Sequence, residues 1–263
     1  LLDPGSEALI QAPYWVSYPE QVKLCGARPV IVEPPPGGAG LNLEAMADAI
    51  SERTRLVILN SPCNPTGCVA GDAELDALAA LAVRHDLVVV SDDIYDKLLY
   101  DGRRFVSIVQ RAPAMQERTL LVNGVSKTYA MTGWRLGWAV GPAPVIASMR
   151  KVQDQSTSNA TTFVQHAAVA ALASPPGTVE DMVQKFAKRR QRLVSLLDAI
   201  PGVRCQTPAG TFYAWASFAE VLGRRCDGQP LDSTVGLAEL LLDRERVAVV
   251  PGEAFGAAGF IRL

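Results

Sequence analysis

The chain has 263 residues, of which 49% are hydrophobic and 20% are charged, and its formal net charge is -2. This composition indicates a globular protein with a large core, and the nearly balanced charge argues against nucleic acid or a membrane surface as a partner. The two histidines, His85 and His166, are far apart in sequence, which argues against a histidine metal site or a serine–histidine triad. We expect no metal. Scattered cysteines without zinc-like spacing predict reduced thiols and a cytoplasmic protein; these are Cys25, Cys63, Cys68, Cys205 and Cys226.

The first half of the chain alternates between predicted strands and predicted helices. Apolar residues at helical spacing predict three helices. The first begins near Tyr14, and the other two follow the expected capping residues Asn42 and Asp72. The intervening apolar runs predict strands, and several are apolar through their middle, as expected where helices cover both faces of a parallel sheet. The predicted strands are 6–12, 29–33, 55–60, 86–91, 119–123 and 135–140. This order predicts an α/β fold with a mostly parallel sheet flanked by helices, which binds ligands at the carboxyl ends of its strands.

From Pro144 onwards the predicted structure is helical, and it then changes to short strands. The alanine-rich segment 162–172 predicts a buried helix, and 178–200 predicts a long helix with a solvated basic face. Short strands at 203–205 and 211–215, a helix near 235–242 and an apolar strand at 260–263 follow. We therefore divide the chain into a large α/β domain at 1–185 and a smaller, incomplete α+β domain at 186–263.

Lys127 lies between two predicted strands, in a segment of small and hydroxyl residues that runs from Gly124 to Gly137. Burying an ammonium group is costly unless the group is paired or neutralised, and a Schiff base with a carbonyl compound is one way to neutralise it. Arg135 follows in the same segment, and a planar guanidinium is suited to a phosphate dianion. Together they fit pyridoxal phosphate. These two residues alone leave open a helix-cap lysine beside a surface arginine.

Two further polar segments follow predicted strands. The loop Asn60–Gly67 contains two X-Pro turns, which predict a rigid polar loop. The segment Ser91–Tyr95 ends a buried strand with the carboxylate of Asp92, which needs a cationic partner there. A protonated pyridine nitrogen would be such a partner, and the charged ring would stabilise a carbanion at a substrate α-carbon. Tyr95 follows closely enough to reach an oxygen on the same ring.

Four motifs resemble, in their order, those of class I aminotransferases, which are pyridoxal-phosphate enzymes of fold type I. They are Asn-Ser-Pro-Cys-Asn-Pro-Thr-Gly at 60–67, Ser-Asp-Asp-Ile-Tyr at 91–95, the lysine segment at 124–137, and Pro-Gly-Glu-Ala-Phe-Gly at 251–256 with Gly-Phe-Ile-Arg-Leu at 259–263. The resemblance covers essentially the whole chain and points to the bacterial aspartate aminotransferase group. Asp93 stands where glutamate is common in the family, and we assign it a structural role. Family members continue beyond both ends, so the resemblance implies a truncated chain.

The resemblance assigns a role to each candidate site residue. The catalytic residues are Lys127, which carries the cofactor as an internal aldimine and moves the substrate proton, Asp92 at the ring nitrogen, and Tyr95 at the 3'-oxygen. The other residues expected to bind the cofactor are Asn64 at the same oxygen, Ser126 and Arg135 at the phosphate, and Trp15 at the ring. Arg262 is expected to clamp the substrate α-carboxylate, with Asn64 and Trp15 also binding substrate. The peptide bond after Asn64 is expected to be cis.

The activity that the resemblance implies is ping-pong transamination between an amino acid and a 2-oxo acid, most closely aspartate and 2-oxoglutarate, in a homodimer. Aminotransferases for aromatic amino acids, alanine or prephenate, and pyridoxal-phosphate lyases, share these motifs and remain open. A different class also remains open, namely a regulatory domain that binds pyridoxal phosphate without turnover, as in some transcription regulators. We expect small-molecule substrates as partners, and neither nucleic acid nor membrane.

Overall fold

The computed structural model describes residues 1–36, 38, 40–226 and 228–263. Its larger sheet has six strands: β1 (Glu7–Gln11), β2 (Arg28–Val32), β3 (Thr54–Asn60), β4 (Val88–Asp92), β5 (Thr119–Gly124) and β6 (Gly137–Val140). Their order across the sheet is β2-β1-β3-β4-β5-β6. All neighbouring pairs are parallel except β5 and β6, which are antiparallel. The prediction of a mostly parallel α/β sheet is confirmed.

Helices cover both faces of this sheet. They are α1 (Ser17–Leu24), α2 (Leu43–Asp48) and α3 (Asp72–Arg84). Because successive strand residues point to opposite faces, Leu9 packs in the cluster beneath α2 and α3, whereas Ile10 packs in the cluster beneath α1. Both side chains are buried. The two clusters fix the strand ends against each other, so the carboxyl ends of β3, β4 and β5 lie side by side.

The helix starts agree with the sequence at α2 but not at α1 or α3. The side chain of Asn42 accepts a hydrogen bond from the amide of Ala45 at 3.2 Å, which confirms Asn42 as a cap. Helix α1 begins at Ser17, later than the predicted start near Tyr14. The predicted cap at Asp72 is wrong, because Asp72 is the first residue of α3 and Gly71 precedes it in an extended conformation. A Glu74 carboxylate oxygen, 2.7 Å from the Gly71 amide, satisfies that end instead.

The second half begins with three helices, α4 (Ala143–Ser156), α5 (Thr162–Leu172) and α6 (Pro176–Asp198). It continues with β7 (Arg204–Cys205), β8 (Trp215–Ser217), β9 (Arg225–Cys226), β10 (Gln229–Pro230), α7 (Thr234–Glu245), β11 (Val250–Pro251) and β12 (Phe260–Arg262). Four of these strands form an antiparallel sheet in the order β11-β12-β8-β7, and β9 pairs with β10. The C-terminal part of α6 packs on this sheet through Val194 and Leu197. The proposed domain boundary at 185/186 falls inside α6.

Helix α5 is less buried than its composition predicts. Val164 and Ala168 are buried, but Phe163 is 67% exposed and Val169 is 66% exposed. The helix also carries Gln165 and His166, but most of its other side chains are apolar, so its composition alone overstated how much of its surface is covered. Among the described residues, no helix is both long enough and apolar enough to cross a membrane.

Glu7 is a buried carboxylate at the start of β1. Its side chain is 1% exposed and accepts hydrogen bonds from Arg28 at 2.7 Å, Arg53 at 2.9 Å and Ser51 at 2.7 Å. The hydrogen bond from Arg28 is the largest of the effects that lower the pKa of Glu7 to about 2. This ion-pair cluster joins the beginnings of β1, β2 and β3, at the edge of the sheet opposite the ligand-binding edge.

We expect Glu7→Gln to lower the free energy of unfolding at pH 7 by about 2–4 kcal/mol, because it removes a buried charge with two cationic partners. The contribution is fully present above the unfolded pKa of 4.5 and is lost as the pH falls towards the folded pKa of about 2. Urea unfolding of both proteins between pH 7 and pH 3 measures this. The matched control is Glu20→Gln, which removes an exposed pair with Lys23 and should change stability by less than about 1 kcal/mol. A difference at Glu7 that does not shrink below pH 4.5 would contradict the assignment.

Candidate active site

A cavity with a volume of about 560 Å³ lies at the carboxyl ends of β3, β4 and β5. All the site residues predicted from the sequence line this cavity; they are Trp15, Asn64, Asp92, Tyr95, Ser126, Lys127, Arg135 and Arg262. Their segments lie far apart in sequence, and the fold brings them together. The volume is within the usual range for a small-molecule site. The structure therefore joins the predicted residues in one place that can hold a ligand.

Asp92 is the last residue of β4, and its carboxylate is largely enclosed. One oxygen accepts a hydrogen bond from the hydroxyl of Tyr18 at 2.6 Å, and the other accepts from the amide of Ile94 at 3.2 Å. Burial raises the pKa of Asp92, while the hydrogen bonds from Tyr18 and Ile94 and the charge of Lys127 act in the opposite direction. Since both hydrogen-bond donors are neutral, this carboxylate can still stabilise a cation in the cavity.

Lys127 follows β5 and is half-buried. Its ammonium nitrogen lies 6.0 Å from the ring centroid of Tyr95 and 5.5 Å from that of Phe212. Within the described part of the chain, it has no hydrogen bond and no ion pair within 4.0 Å. Three residues before Lys127, the backbone of Gly124 packs closely against that of Leu136. A Cβ on Gly124 would lie 2.8 Å from the carbonyl oxygen of Leu136, so a side chain would not fit there. The lysine is thus delivered to the cavity with its amine available to a ligand.

Asn64 and Arg262 meet at the wall of the cavity. The guanidinium of Arg262 donates to the amide oxygen of Asn64 at 2.8 Å. It also lies over the rings of Tyr213, at 4.3 Å, and Phe255, at 4.8 Å. The backbone amide of Asn64 donates to the Asn60 side chain at 2.8 Å, and the peptide bond after Asn64 is cis, as expected. One hydrogen bond occupies only part of the guanidinium, so its other N–H groups can receive a carboxylate.

Arg135 occupies a conformation that the sequence did not predict. Strand β6 begins at Gly137 rather than at Arg135, because Arg135 has a left-handed backbone with φ 56°. Its guanidinium donates to the backbone carbonyl oxygen of Thr132 at 2.9 Å, and the Thr132 hydroxyl donates to the backbone carbonyl oxygen of Ser126 at 3.1 Å. A left-handed conformation is uncommon outside glycine and asparagine, and such outliers often occur at functional sites. Here it brings an exposed arginine to the wall of the cavity, near Ser126.

The cavity is also lined by residues to which the sequence assigned no role, among them Tyr18, Asn60 and Tyr213. The Tyr18 hydroxyl donates to the Asp92 carboxylate. The Asn60 side chain donates to the backbone carbonyl oxygen of Asp92 at 3.0 Å and accepts from the backbone amide of Asn64. Asn60 belongs to the motif that also contains Asn64, and Tyr18 is three residues from Trp15, but nothing local distinguishes them as contacts of Asp92. Their partners could be identified only once the chain was folded.

Asp93, next to Asp92, is buried away from these contacts. Its carboxylate accepts hydrogen bonds from the hydroxyls of Ser91 at 2.6 Å and Ser107 at 3.3 Å. Burial raises the pKa of Asp93 to about 7, against the effect of both hydroxyls. These contacts hold the loop after β4 against residues 107–110 and are those of a structural carboxylate, as we expected for this position.

The chain is similar to known proteins along its whole length. A family model described as aminotransferase class I and II matches residues 1–263. The aspartate aminotransferase of Bacillus subtilis is 41% identical over the full chain, which covers 66% of that relative. A solved structure of the aspartate aminotransferase from Rhizobium meliloti has a TM-score of 0.95 and 41% identity, and the chain covers 66% of it. An aromatic aminotransferase structure from Pyrococcus horikoshii has a TM-score of 0.91 and 38% identity, with 69% covered. The chain spans about two thirds of the length of these relatives, and it belongs to the class I and II aminotransferase family.

Proposed function

We propose that this chain is the greater part of a pyridoxal-phosphate-dependent aminotransferase that exchanges amino groups between aspartate and 2-oxoglutarate. The observation that carries the proposal is the pairing, across one cavity, of an available lysine amine at Lys127 with a buried carboxylate at Asp92. The family uses pyridoxal 5'-phosphate, which needs both groups. The names of the relatives, among them the Bacillus subtilis enzyme, support aspartate as the amino donor.

The chemistry of the cavity fits this cofactor. The Asp92 carboxylate, with two neutral donors, is suited to a protonated pyridine nitrogen. Tyr95 and Asn64 present polar groups for the ring oxygen, and Trp15 offers an aromatic wall for the ring. The phosphate would be held by Arg135 together with Ser126, since a guanidinium and a hydroxyl both donate to phosphate oxygens.

When bound, pyridoxal phosphate supplies an electron sink for the carbanion that forms at the substrate α-carbon. The amine nitrogen of Lys127 is the base that removes the α-proton and the acid that returns it, because it faces the cavity without an acceptor of its own among the described residues. Arg262 binds the substrate α-carboxylate through N–H groups that have no acceptor among the described residues, and it orients the α-proton towards Lys127. Asp92 places a negative charge in the same cavity, where it would face the cofactor ring.

A second candidate is an aminotransferase for aromatic amino acids. Aromatic rings from Trp15 and Tyr213 line the cavity, and Phe212 lies near Lys127. The solved aromatic aminotransferase from Pyrococcus horikoshii shares the fold over the whole chain. Rings on the wall would accept an aromatic side chain as readily as they flank a cofactor.

We also propose that the whole protein is a cytoplasmic homodimer. Helices α4 and α5 expose apolar side chains, with Val152 69% exposed and Phe163 67% exposed, and a second copy could cover them. The five free cysteines support a reducing compartment. Sedimentation of the protein at several concentrations tests the dimer, and a monomer at every concentration would contradict it.

The absorbance spectrum of the protein with pyridoxal phosphate tests the proposed activity. We expect a visible band when the cofactor is added, and we expect aspartate to abolish this band while one equivalent of its 2-oxo acid forms. A band that responds to phenylalanine or tyrosine but not to aspartate would establish the aromatic alternative. A band that no amino acid changes would overturn the aminotransferase proposal and favour a regulatory domain that binds the cofactor.

A further inference from the structure

Tyr213 contacts both Tyr95 and Arg262 in the cavity. Its hydroxyl lies 2.9 Å from the hydroxyl of Tyr95, which the proposed function places at the cofactor. Its ring lies against Arg262, with 4.3 Å between the guanidinium carbon and the ring centroid. A single side chain thus joins the group proposed to bind the cofactor to the group proposed to bind the substrate.

The backbone that delivers Tyr213 is held in an unusual conformation at Thr211. Thr211 has φ 63°, which is an outlier for a β-branched residue. It is fully buried, its amide donates to the carbonyl oxygen of Leu98 at 2.9 Å, and its carbonyl oxygen accepts from the hydroxyl of Tyr100. These bonds explain why residues 211–214 do not continue the predicted strand, which begins only at Trp215. Such a conformation persists only where the surroundings hold it, and it turns the following side chains into the cavity.

The ring of Tyr213 restricts the orientation of Arg262. The guanidinium contacts two aromatic rings, those of Tyr213 and Phe255, and one of its N–H groups donates to Asn64 at 2.8 Å. Guanidinium groups stack on aromatic faces, and this contact defines a plane. A planar group in a defined plane can present two parallel N–H bonds to a carboxylate, whereas a freely rotating one loses entropy when it binds.

The direction of the hydrogen bond between the two tyrosines decides what Tyr95 can do. Each hydroxyl has one proton and can also accept. If Tyr213 donates to Tyr95, the single proton of Tyr95 remains free for a ligand oxygen in the cavity. The opposite direction would present only lone pairs to that ligand. Burial, followed by the neighbouring Tyr213, raises the pKa of Tyr95, so Tyr95 keeps its proton at neutral pH.

We propose that Tyr213 is a positioning residue with two roles: its hydroxyl donates to Tyr95, so that Tyr95 donates to the 3'-oxygen of the cofactor, and its ring sets the plane of Arg262 for the substrate carboxylate. This inference depends on the proposed function, which assigns Tyr95 to the cofactor and Arg262 to the substrate. The two roles belong to different parts of one side chain, and substitutions can separate them.

Tyr213→Phe tests the hydroxyl while keeping the ring. The 3'-oxygen accepts a hydrogen bond either from Tyr95 or from the protonated Lys127 nitrogen that is bonded to the cofactor. A weaker hydrogen bond from Tyr95 therefore favours the protonated nitrogen, which should raise the pH midpoint of the cofactor absorbance. We expect a rise of about one pH unit, the size of one hydrogen bond. The matched control is Tyr14→Phe, which removes a hydroxyl without a hydrogen bond in the described ranges and should not move the midpoint. If Tyr213 had only a structural role, Tyr213→Phe would also leave the pH midpoint unchanged.

Tyr213→Leu tests the ring. The probe is succinate, which has two carboxylates but no amine and therefore binds without reacting. Titration calorimetry of the cofactor-loaded protein should give about a tenfold higher Kd for Tyr213→Leu, since a cation–aromatic contact and the order it imposes are lost. Tyr213→Phe should bind succinate within about twofold of the unchanged protein, because the ring remains over Arg262. Unchanged succinate affinity in Tyr213→Phe would assign the loss in Tyr213→Leu to the ring rather than to the hydroxyl.

The outcomes distinguish this inference from the proposed function. If the unchanged protein shows no cofactor absorbance, the proposed function fails and the inference fails with it. If the unchanged protein binds the cofactor and succinate but Tyr213→Phe keeps the pH midpoint, the donor role is overturned alone. Equal succinate affinity in Tyr213→Leu and the unchanged protein would overturn the ring's role.

Discussion

Replacing Lys127 by alanine is expected to abolish transamination, with a loss of at least about 10⁴-fold in turnover. The lysine amine is the available base that faces the cavity, and the change removes both the covalent link to the cofactor and the proton transfer. Borohydride reduction followed by mass spectrometry provides a readout that does not depend on turnover. The unchanged protein should gain the mass of the reduced cofactor at Lys127, and the variant should not.

Lys185→Ala is the matched control for this experiment. Lys185 is an exposed lysine on α6, and its loss should leave both the labelling and the turnover unchanged. If Lys127→Ala still turned over aspartate while remaining folded, another group would have to be the base, and the proposed mechanism would be wrong. Labelling of a different lysine in the unchanged protein would contradict it equally.

Replacing Asp92 by asparagine should lower kcat by about 10²–10³-fold, the effect of removing one electrostatic partner from a preorganised site. Asparagine keeps the shape of the side chain and an oxygen that accepts from Tyr18, so the fold should remain. What is lost is the negative charge that would keep the ring nitrogen of the cofactor protonated. Steady-state kinetics with aspartate and a titration of cofactor binding measure the two consequences, and we expect kcat to fall much more than KM rises.

Asp93→Asn is the matched control for Asp92→Asn, because it makes the same chemical change at the adjacent residue. Asp93 is bound by Ser91 and Ser107 rather than by groups of the cavity, and its pKa of about 7 makes it partly neutral already at pH 7. We expect kcat within about threefold of the unchanged protein, because no charge that faces the ligand is removed. Equal losses in the two variants would show that Asp92 has no special role.

The positions of Asp92 and Lys127 follow from patterns that the sequence itself contains. A polar residue at the end of a buried apolar strand, or a few residues after it, lies at the carboxyl edge of a parallel sheet. Asp92 ends β4, and Lys127 follows the last residue of β5 by three positions. The same local reasoning located Asn42 as a helix cap, since capping involves only neighbouring residues. Sequence patterns succeed where the interaction that they encode is short in range.

The failures have different causes, of which only some are contacts from distant parts of the chain. Helix α3 has Gly71 rather than Asp72 at its start because the Glu74 carboxylate binds the preceding amides, including that of Leu41. Strand β6 starts late because Arg135 adopts a left-handed conformation in the turn that follows Lys127. Helix α5 exposes apolar side chains that its mostly apolar composition led us to expect to be buried.

The sequence by itself determined the fold class and the types of residue at the ends of the strands, because strand and helix periodicity and motif chemistry are local properties. Only the tertiary structure decided which of these residues touch. Tyr18 and Asp92 are 74 positions apart, Tyr95 and Tyr213 are 118 apart, and Asn64 and Arg262 are 198 apart. Such pairs form only because the sheet and the packed helices bring distant segments to one cavity. A local sequence pattern does not predict a contact between residues so far apart in the chain.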